Sequence, residues 1–168
     1  MTIPIVAHRT CPLDAPENSI QGIRKAAELG ADAVEIDVRP SLDGVPFLMH
    51  DWSPRRTTGL PGPVRIFPSF LLRRLRLRRG SEPPPTLDEA LAALPETLSI
   101  AIEVKDSAAS AATLRAVRRH GLDSRVLFWS YREQAVRYFA REAPEIETSL
   151  LRDPGSVIHL MPVDTDSV

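Results

Sequence analysis

Short apolar runs alternate with segments of helical periodicity along most of this chain, and that alternation constrains its fold more than any other feature. "IPIVAH", "DAVEIDV", "VPFLMH", "LSIAIEVK", "RVLFWS" and "IETSLL" read as strands, with "SVIHLM" a candidate seventh. Between them lie the helical patterns "NSIQGIRKAAELG", "TLDEALAAL", residues 108–120 and "REQAVRYFAREA". Asn18 is the predicted N-cap of the first helix, with Gln21 three residues on and Gly30 as its stop; Thr86 and Glu89 predict a capping box. Gly121 is the predicted end of the helix over 108–120, and Asp43-Gly44 is a favoured turn pair between the second and third runs. Strands separated by helices are joined by crossovers, which implies a largely parallel sheet. An open doubly wound sheet and a closed (β/α)8 barrel both satisfy this. With neither GxGxxG nor GxxxxGK[ST] after any strand, the nucleotide-binding open sheets lose ground.

The first four runs end in ionisable residues: His8 and Arg9; Glu35 and Asp37; His50 and Asp51; Glu103 and Lys105. Residues two apart on a strand share a face, so Glu35 sides with Asp37 and Glu103 with Lys105, while Ile36 and Val104 turn toward the helices. In a parallel barrel the C-terminal strand ends gather on one rim, and all of these side chains would meet there. Three facing carboxylates repel unless a cation compensates them, and an all-oxygen set suits a hard divalent ion such as Mg²⁺ or Ca²⁺. His8 and His50 are the candidate acid and base, and Arg9 and Lys105 supply positive charge for an anionic substrate.

The charge balance, 21 basic against 22 acidic residues, gives no general argument for nucleic acid as a partner. At 168 residues and 43% hydrophobic, the chain is expected to form one domain, residues 1–168. One cysteine, no signal-like start and no apolar run of about 18 residues predict a soluble, cytoplasmic protein.

The ordered motifs "AHR", "PENS", "GADAVEIDV", "DGVPFLMHD", "RRTTG", "PTLDEAL" and "IEVK", with the later "SYREQAVRYFAREAPEIETSLL", resemble the glycerophosphodiester phosphodiesterase family over nearly the whole chain. The resemblance implies an α/β TIM (β/α)8 barrel of phosphodiesterase type. About six to seven strands are legible, so the barrel is expected to be incomplete at the C-terminus, where a full barrel takes about 250 residues. It also implies metal-dependent hydrolysis of glycerophosphodiesters to glycerol 3-phosphate and an alcohol. Carried onto this chain, His8 and His50 would be the acid and base, Glu35, Asp37 and Glu103 would bind the divalent cation (Mg or Ca), and Arg9 and Lys105 would hold the phosphate. Glu17 and Asn18 would support substrate binding. The implied mechanism has a substrate glycerol hydroxyl attack phosphorus, giving a cyclic phosphate that water opens. Two alternatives stand beside it: a lysophospholipase D-like lipid phosphodiesterase, and a truncated non-catalytic remnant of the family.

The chain departs from the family pattern at Thr10, where the family has glycine after "HR", and at Ser41, where threonine is usual. A side chain at position 10 is expected to strain the turn or crowd the phosphate. Trp129 and Tyr131, at the end of the fifth run, are candidates to touch the glycerol or alcohol part of a substrate, against the commoner role of core aromatics. "RIFPSFLLRRLRLRRG" carries six arginines and no acid. It reads either as a contact for an anionic membrane surface or as a segment that packs its leucines and leaves its arginines in water. From sequence the second reading is favoured.

Overall fold

The computed structural model describes residues 4–152. Strand β1 (Val6–Ala7) leads into a 3-10 turn over His8–Thr10, followed by helix α1 (Ile20–Glu28), β2 (Ala33–Pro40) and β3 (Pro46–Leu48). Two short helices, α2 (Arg55–Thr58) and α3 (Ser69–Leu72), interrupt the long excursion before α4 (Leu87–Ala92). Then come β4 (Ser99–Val104), α5 (Ser110–Arg119), β5 (Val126–Ser130), α6 (Glu133–Glu142) and β6 (Thr148–Leu150). The predicted seventh strand lies outside the described residues.

Parallel ladders join the strands in the order β1-β2-β4-β5-β6, as the strand-helix alternation requires. This is an α/β sheet, and among the described residues it is not closed into a barrel: β1 and β6 are its edges. The third predicted strand differs in kind from the others. It pairs antiparallel with the end of β2, Val38 opposite Leu48 and Pro40 opposite Pro46, because the Asp43-Gly44 turn folds it straight back; Gly44 sits at φ +77°, open to glycine without strain. β3 is therefore a hairpin extension of β2 above the parallel wall, and it delivers Met49 and His50 to the strand ends.

The apolar alternation in β2 and β4 buries Val34, Ile36, Val38, Ile100, Ile102 and Val104 in one cluster, together with Ile23 and Ala26 of α1, Leu87, Ala90 and Leu91 of α4, and Leu114 and Val117 of α5. Phe128 of β5 stacks on Phe139 of α6 with ring centroids 3.9 Å apart, closing the same layer. A smaller cluster of Phe47, Met49, Val64 and Leu72 supports the excursion between β3 and α4.

The predicted capping box of α4 is present: the Thr86 hydroxyl accepts from Glu89 N–H at 3.2 Å, and Glu89 accepts from Thr86 N–H at 2.9 Å. At α1 the N-cap is Ser19, whose Oγ accepts the Gly22 N–H at 2.9 Å, and not the predicted Asn18. Asn18 adopts φ +52° and turns its amide to the sheet. The shift is by one residue, since both are good capping types and only the sheet contact distinguishes them.

Candidate active site

Parallel register sets Asp37 directly beside Glu103 on neighbouring strands, and Glu35 lies two residues back on the same face of β2. All three carboxylates are buried, Asp37 completely. One oxygen from each can be chosen so that the three lie within 4.8 Å of one another. Burial and the neighbouring Asp37 carboxylate push the Glu35 pKa up to about 7.

The remaining polar groups position these acids. Arg9 N–H donates to Glu35 Oε2 at 2.8 Å, and His8 Nε2 lies 3.8 Å from the same oxygen. Asn18 holds Asp37 from two sides, its Nδ2 donating to Asp37 Oδ2 at 2.8 Å and its Oδ1 accepting Asp37 N–H at 2.9 Å. Lys105 Nζ stands 2.6 Å from Glu103 Oε1 and 3.0 Å from Asp37 Oδ1, and Arg9 Nε 3.7 Å from Asp37 Oδ2. These are ion pairs by distance, yet Asp37 Oδ1 and Glu103 Oε1, like Glu35 Oε1, accept no aligned hydrogen bond. Buried carboxylate oxygens without hydrogen bonds, facing one another, fit a bound cation, and the all-oxygen donor set fits a hard one.

The second histidine is held through a chain of contacts. His50 Nδ1 is 2.8 Å from Asp51 Oδ1, and Arg39 Nε donates to the His50 carbonyl at 3.0 Å. Arg56 grips Asp51, donating from Nε to Oδ2 at 2.7 Å and from Nη2 to Oδ1 at 3.1 Å, and it also binds both oxygens of Glu17 at 2.6 and 2.7 Å. Hydrogen bonds from Arg56 pull Asp51 down to about 2, and the two carboxylates raise the Arg56 pKa. Glu17, expected to support substrate binding, is tied through Arg56 to Asp51 and so to His50. Arg39 and Arg56 escape a reading of the sequence because their partners come from other elements; the motif "RRTTG" flags the region but not which arginine closes the network.

Trp129 of β5 is half-buried and stands in register with Glu103, so it continues the row Asp37, Glu103 across the sheet. His8 has a side chain 68% exposed, and burial of the remainder and the Arg9 charge lower its pKa. Apart from Glu35, which lies within β2 one step below Asp37 on the same face, the predicted site residues lie toward the C-terminal strand ends or in the loops that follow them.

Thr10 shows the expected strain but does not line the site. Arg9, Thr10 and Cys11 run through left-handed conformations at φ +48°, +60° and +62°, unusual for side chains other than glycine and least suited to the β-branched threonine. The Thr10 side chain is wholly buried against α1, its Oγ1 accepting Ser19 N–H at 3.2 Å. Gly22 provides the room: a Cβ there would fall 2.1 Å from the Thr10 carbonyl oxygen and 2.3 Å from Oγ1. Gly22→Ala is expected to displace the turn that carries His8 and Arg9, at about 1–3 kcal/mol, visible as a melting temperature lowered by roughly 2–12 °C. An unchanged melt would show that the turn yields without cost.

Comparison with known proteins gives the same placement. The profile described as the "Glycerophosphoryl diester phosphodiesterase family" matches residues 8–157. Bovine "Glycerophosphodiester phosphodiesterase 1" is 33% identical over 169 residues, covering 94% of this chain and 51% of the relative. The "Glycerophosphodiester phosphodiesterase" of Caldanaerobacter subterraneus is 28% identical, covering 91% of this chain and 68% of its own. Among solved structures, a glycerophosphodiester phosphodiesterase from Agrobacterium tumefaciens superposes with a TM-score of 0.82 at 31% identity, over 88% of this chain and 66% of that one. A phosphodiesterase from Oleispira antarctica, in complex with the product sn-glycerol-3-phosphate, gives 0.79 at 28% identity, over 87% and 64%. The chain thus spans about half the length of the bovine relative and about two thirds of these structures. The profile match opens on His8 and runs past β6, taking in every residue of the site just described; the chain belongs to the glycerophosphoryl diester phosphodiesterase family.

Proposed function

We propose that this chain hydrolyses glycerophosphodiesters to glycerol 3-phosphate and an alcohol, using Glu35, Asp37 and Glu103 to hold a divalent cation, Mg²⁺ or Ca²⁺. The observation that carries the reading is the convergence of three buried carboxylates, an oxygen of each within 4.8 Å of the others, with Glu35 Oε1 unbonded and His8, Arg9 and Lys105 on the flanks. The relative solved with sn-glycerol-3-phosphate supports the substrate class.

When bound, the cation would supply Lewis-acid stabilisation of charge on the phosphoryl oxygens. The chain's own residues do the rest. Arg9 and Lys105 border the carboxylates and are placed to attract the phosphodiester anion. One histidine takes the proton of the substrate glycerol hydroxyl as it attacks phosphorus; the other protonates the departing alcohol oxygen as the P–O bond to it breaks. The product of that step is a cyclic glycerophosphate. Water then adds to phosphorus and a ring P–O bond opens, with the histidines exchanging roles. Burial and the Arg9 charge lower the His8 pKa and favour its neutral, proton-accepting form, while the Asp51 carboxylate orients the His50 ring through Nδ1.

The test is direct: incubate the purified protein with glycerophosphocholine and Mg²⁺ or Ca²⁺ and assay glycerol 3-phosphate. Product formation that stops with chelator and returns with metal is the expected result. No product from a folded, metal-loaded sample would refute the proposal and favour a non-catalytic member of the family.

A further inference from the structure

We propose that the rim carrying the active site docks on an anionic lipid surface through the excursion between β3 and α4. Nine large hydrophobic side chains are exposed among the described residues, and six of them, Leu13, Leu42, Trp52, Ile66, Phe70 and Tyr131, lie in the connections that follow C-terminal strand ends, Ile66 in a 3-10 turn and Phe70 in α3. The exposed apolar surface is thus gathered on the face where the carboxylates converge. Trp52 is 60% exposed, Ile66 53% and Phe70 60%.

These residues sit on an ordered platform. Asp43 of the β2–β3 turn accepts from both the N–H and the hydroxyl of Ser69 at the start of α3, at 2.8 and 2.6 Å, and Leu42 N–H donates to the Phe67 carbonyl at 2.9 Å. Leu72 and Leu77 of the arginine-rich segment are buried, as a solvated segment requires, but Ile66 and Phe70 are left outside among arginines.

The charge around them is unspent. Arg73 pairs with Glu89, and Arg79 donates to the carbonyls of Pro12 and Leu13. Among the described residues no carboxylate lies within ion-pair distance of Arg55, Arg65, Arg74, Arg76 or Arg78, and Arg74 stands over the Phe70 ring at 5.7 Å. A face that mixes exposed aromatic and aliphatic groups with unpaired guanidinium ions matches the boundary of an anionic bilayer, where headgroups take the charge and the acyl edge takes the rings. A solvated loop would gain nothing from that mixture. Since net charge is near zero, the attraction is local to this face.

Sedimentation with vesicles tests this without reference to catalysis, so its failure leaves the phosphodiesterase reading intact. The protein is expected to pellet with vesicles containing about one third phosphatidylglycerol, in low salt, and not with pure phosphatidylcholine. Affinity should fall about fivefold for each arginine removed in R65Q/R74Q/R76Q, and fall again in I66S/F70S, with far-UV dichroism unchanged in both. Absence of binding, equal binding to neutral vesicles, or binding indifferent to either variant overturns the proposal. So does a concentration-dependent dimer that I66S/F70S abolishes, which would assign the face to a second copy of the chain.

Discussion

Taking the metal-free protein from about pH 5 to about pH 8 is expected to lower its melting temperature by about 5–10 °C, and saturating Mg²⁺ or Ca²⁺ is expected to reverse most of the loss. The cause is Glu35, whose pKa rises from 4.5 to about 7 because burial and Asp37 penalise its charge. A raised folded-state pKa means that the folded protein holds the proton more tightly than the unfolded chain does. The stabilisation is therefore complete below about pH 4.5 and is lost as pH climbs through 7. A displacement of that size corresponds to about 3 kcal/mol. His8, with its pKa lowered, acts in the opposite sense, losing stability as pH falls, but its largely exposed side chain makes the contribution small. Asp43 and Asp51 are held near 2, so their stabilisation disappears only in acid, below the window that Glu35 controls.

Glu35→Gln discriminates this origin from a general pH effect. The amide reproduces the neutral acid, so the metal-free variant should melt at nearly the same temperature across the window, while the rise on adding metal should shrink. Calorimetry at three pH values, with and without cation, reads both quantities. A wild-type melting temperature flat across the window, or a variant with the wild-type slope, would remove Glu35 as the source.

The parallel sheet is legible because short, largely apolar runs alternate with helical patterns, and the Thr86–Glu89 capping box marks the start of α4. The three acids were legible for a related reason. A strand with the core on one side cannot carry Glu35 and Asp37 without a special reason, and period two places both on one face. The direction of β3 was less accessible, since a hairpin and a parallel strand have the same apolar pattern and only the Asp43-Gly44 turn argues between them. For Asn18 the local sequence points to the right neighbourhood and the wrong partner: it favours a cap, whereas Asp37, nineteen residues on, supplies a donor from its backbone N–H and an acceptor from its carboxylate. Of the two consequences expected of Thr10, strain in the turn and crowding of the phosphate, the left-handed run Arg9–Cys11 shows the first, and the side chain turns into α1, where Gly22 leaves the space.

His50→Ala and His8→Ala are each expected to lower kcat of the proposed reaction by about 10²–10⁴-fold, the range for loss of a positioned acid or base. The double variant should be little worse than the poorer single one, because a proton relay fails when either end is missing. The structure adds a sharper expectation for His50. Ionised Asp51 only accepts hydrogen bonds, so it fixes the proton on His50 Nδ1 and leaves Nε2 as the reactive nitrogen. Asp51→Asn presents an amide that can donate to Nδ1, which moves the proton to Nε2 and removes the base. Its kcat should fall while KM changes little. Arg56→Lys separates orientation from charge: one ammonium cannot make the two-sided grip on Asp51 and Glu17 that the guanidinium makes, so the variant should keep the sign of the charge and still lose rate. If Asp51→Asn and Arg56→Lys both retain wild-type kcat, the Glu17–Arg56–Asp51 chain is structural only and His50 works without it. Retention of activity in His50→Ala itself would remove that histidine from the mechanism and leave His8 as the sole proton-transfer group on the rim.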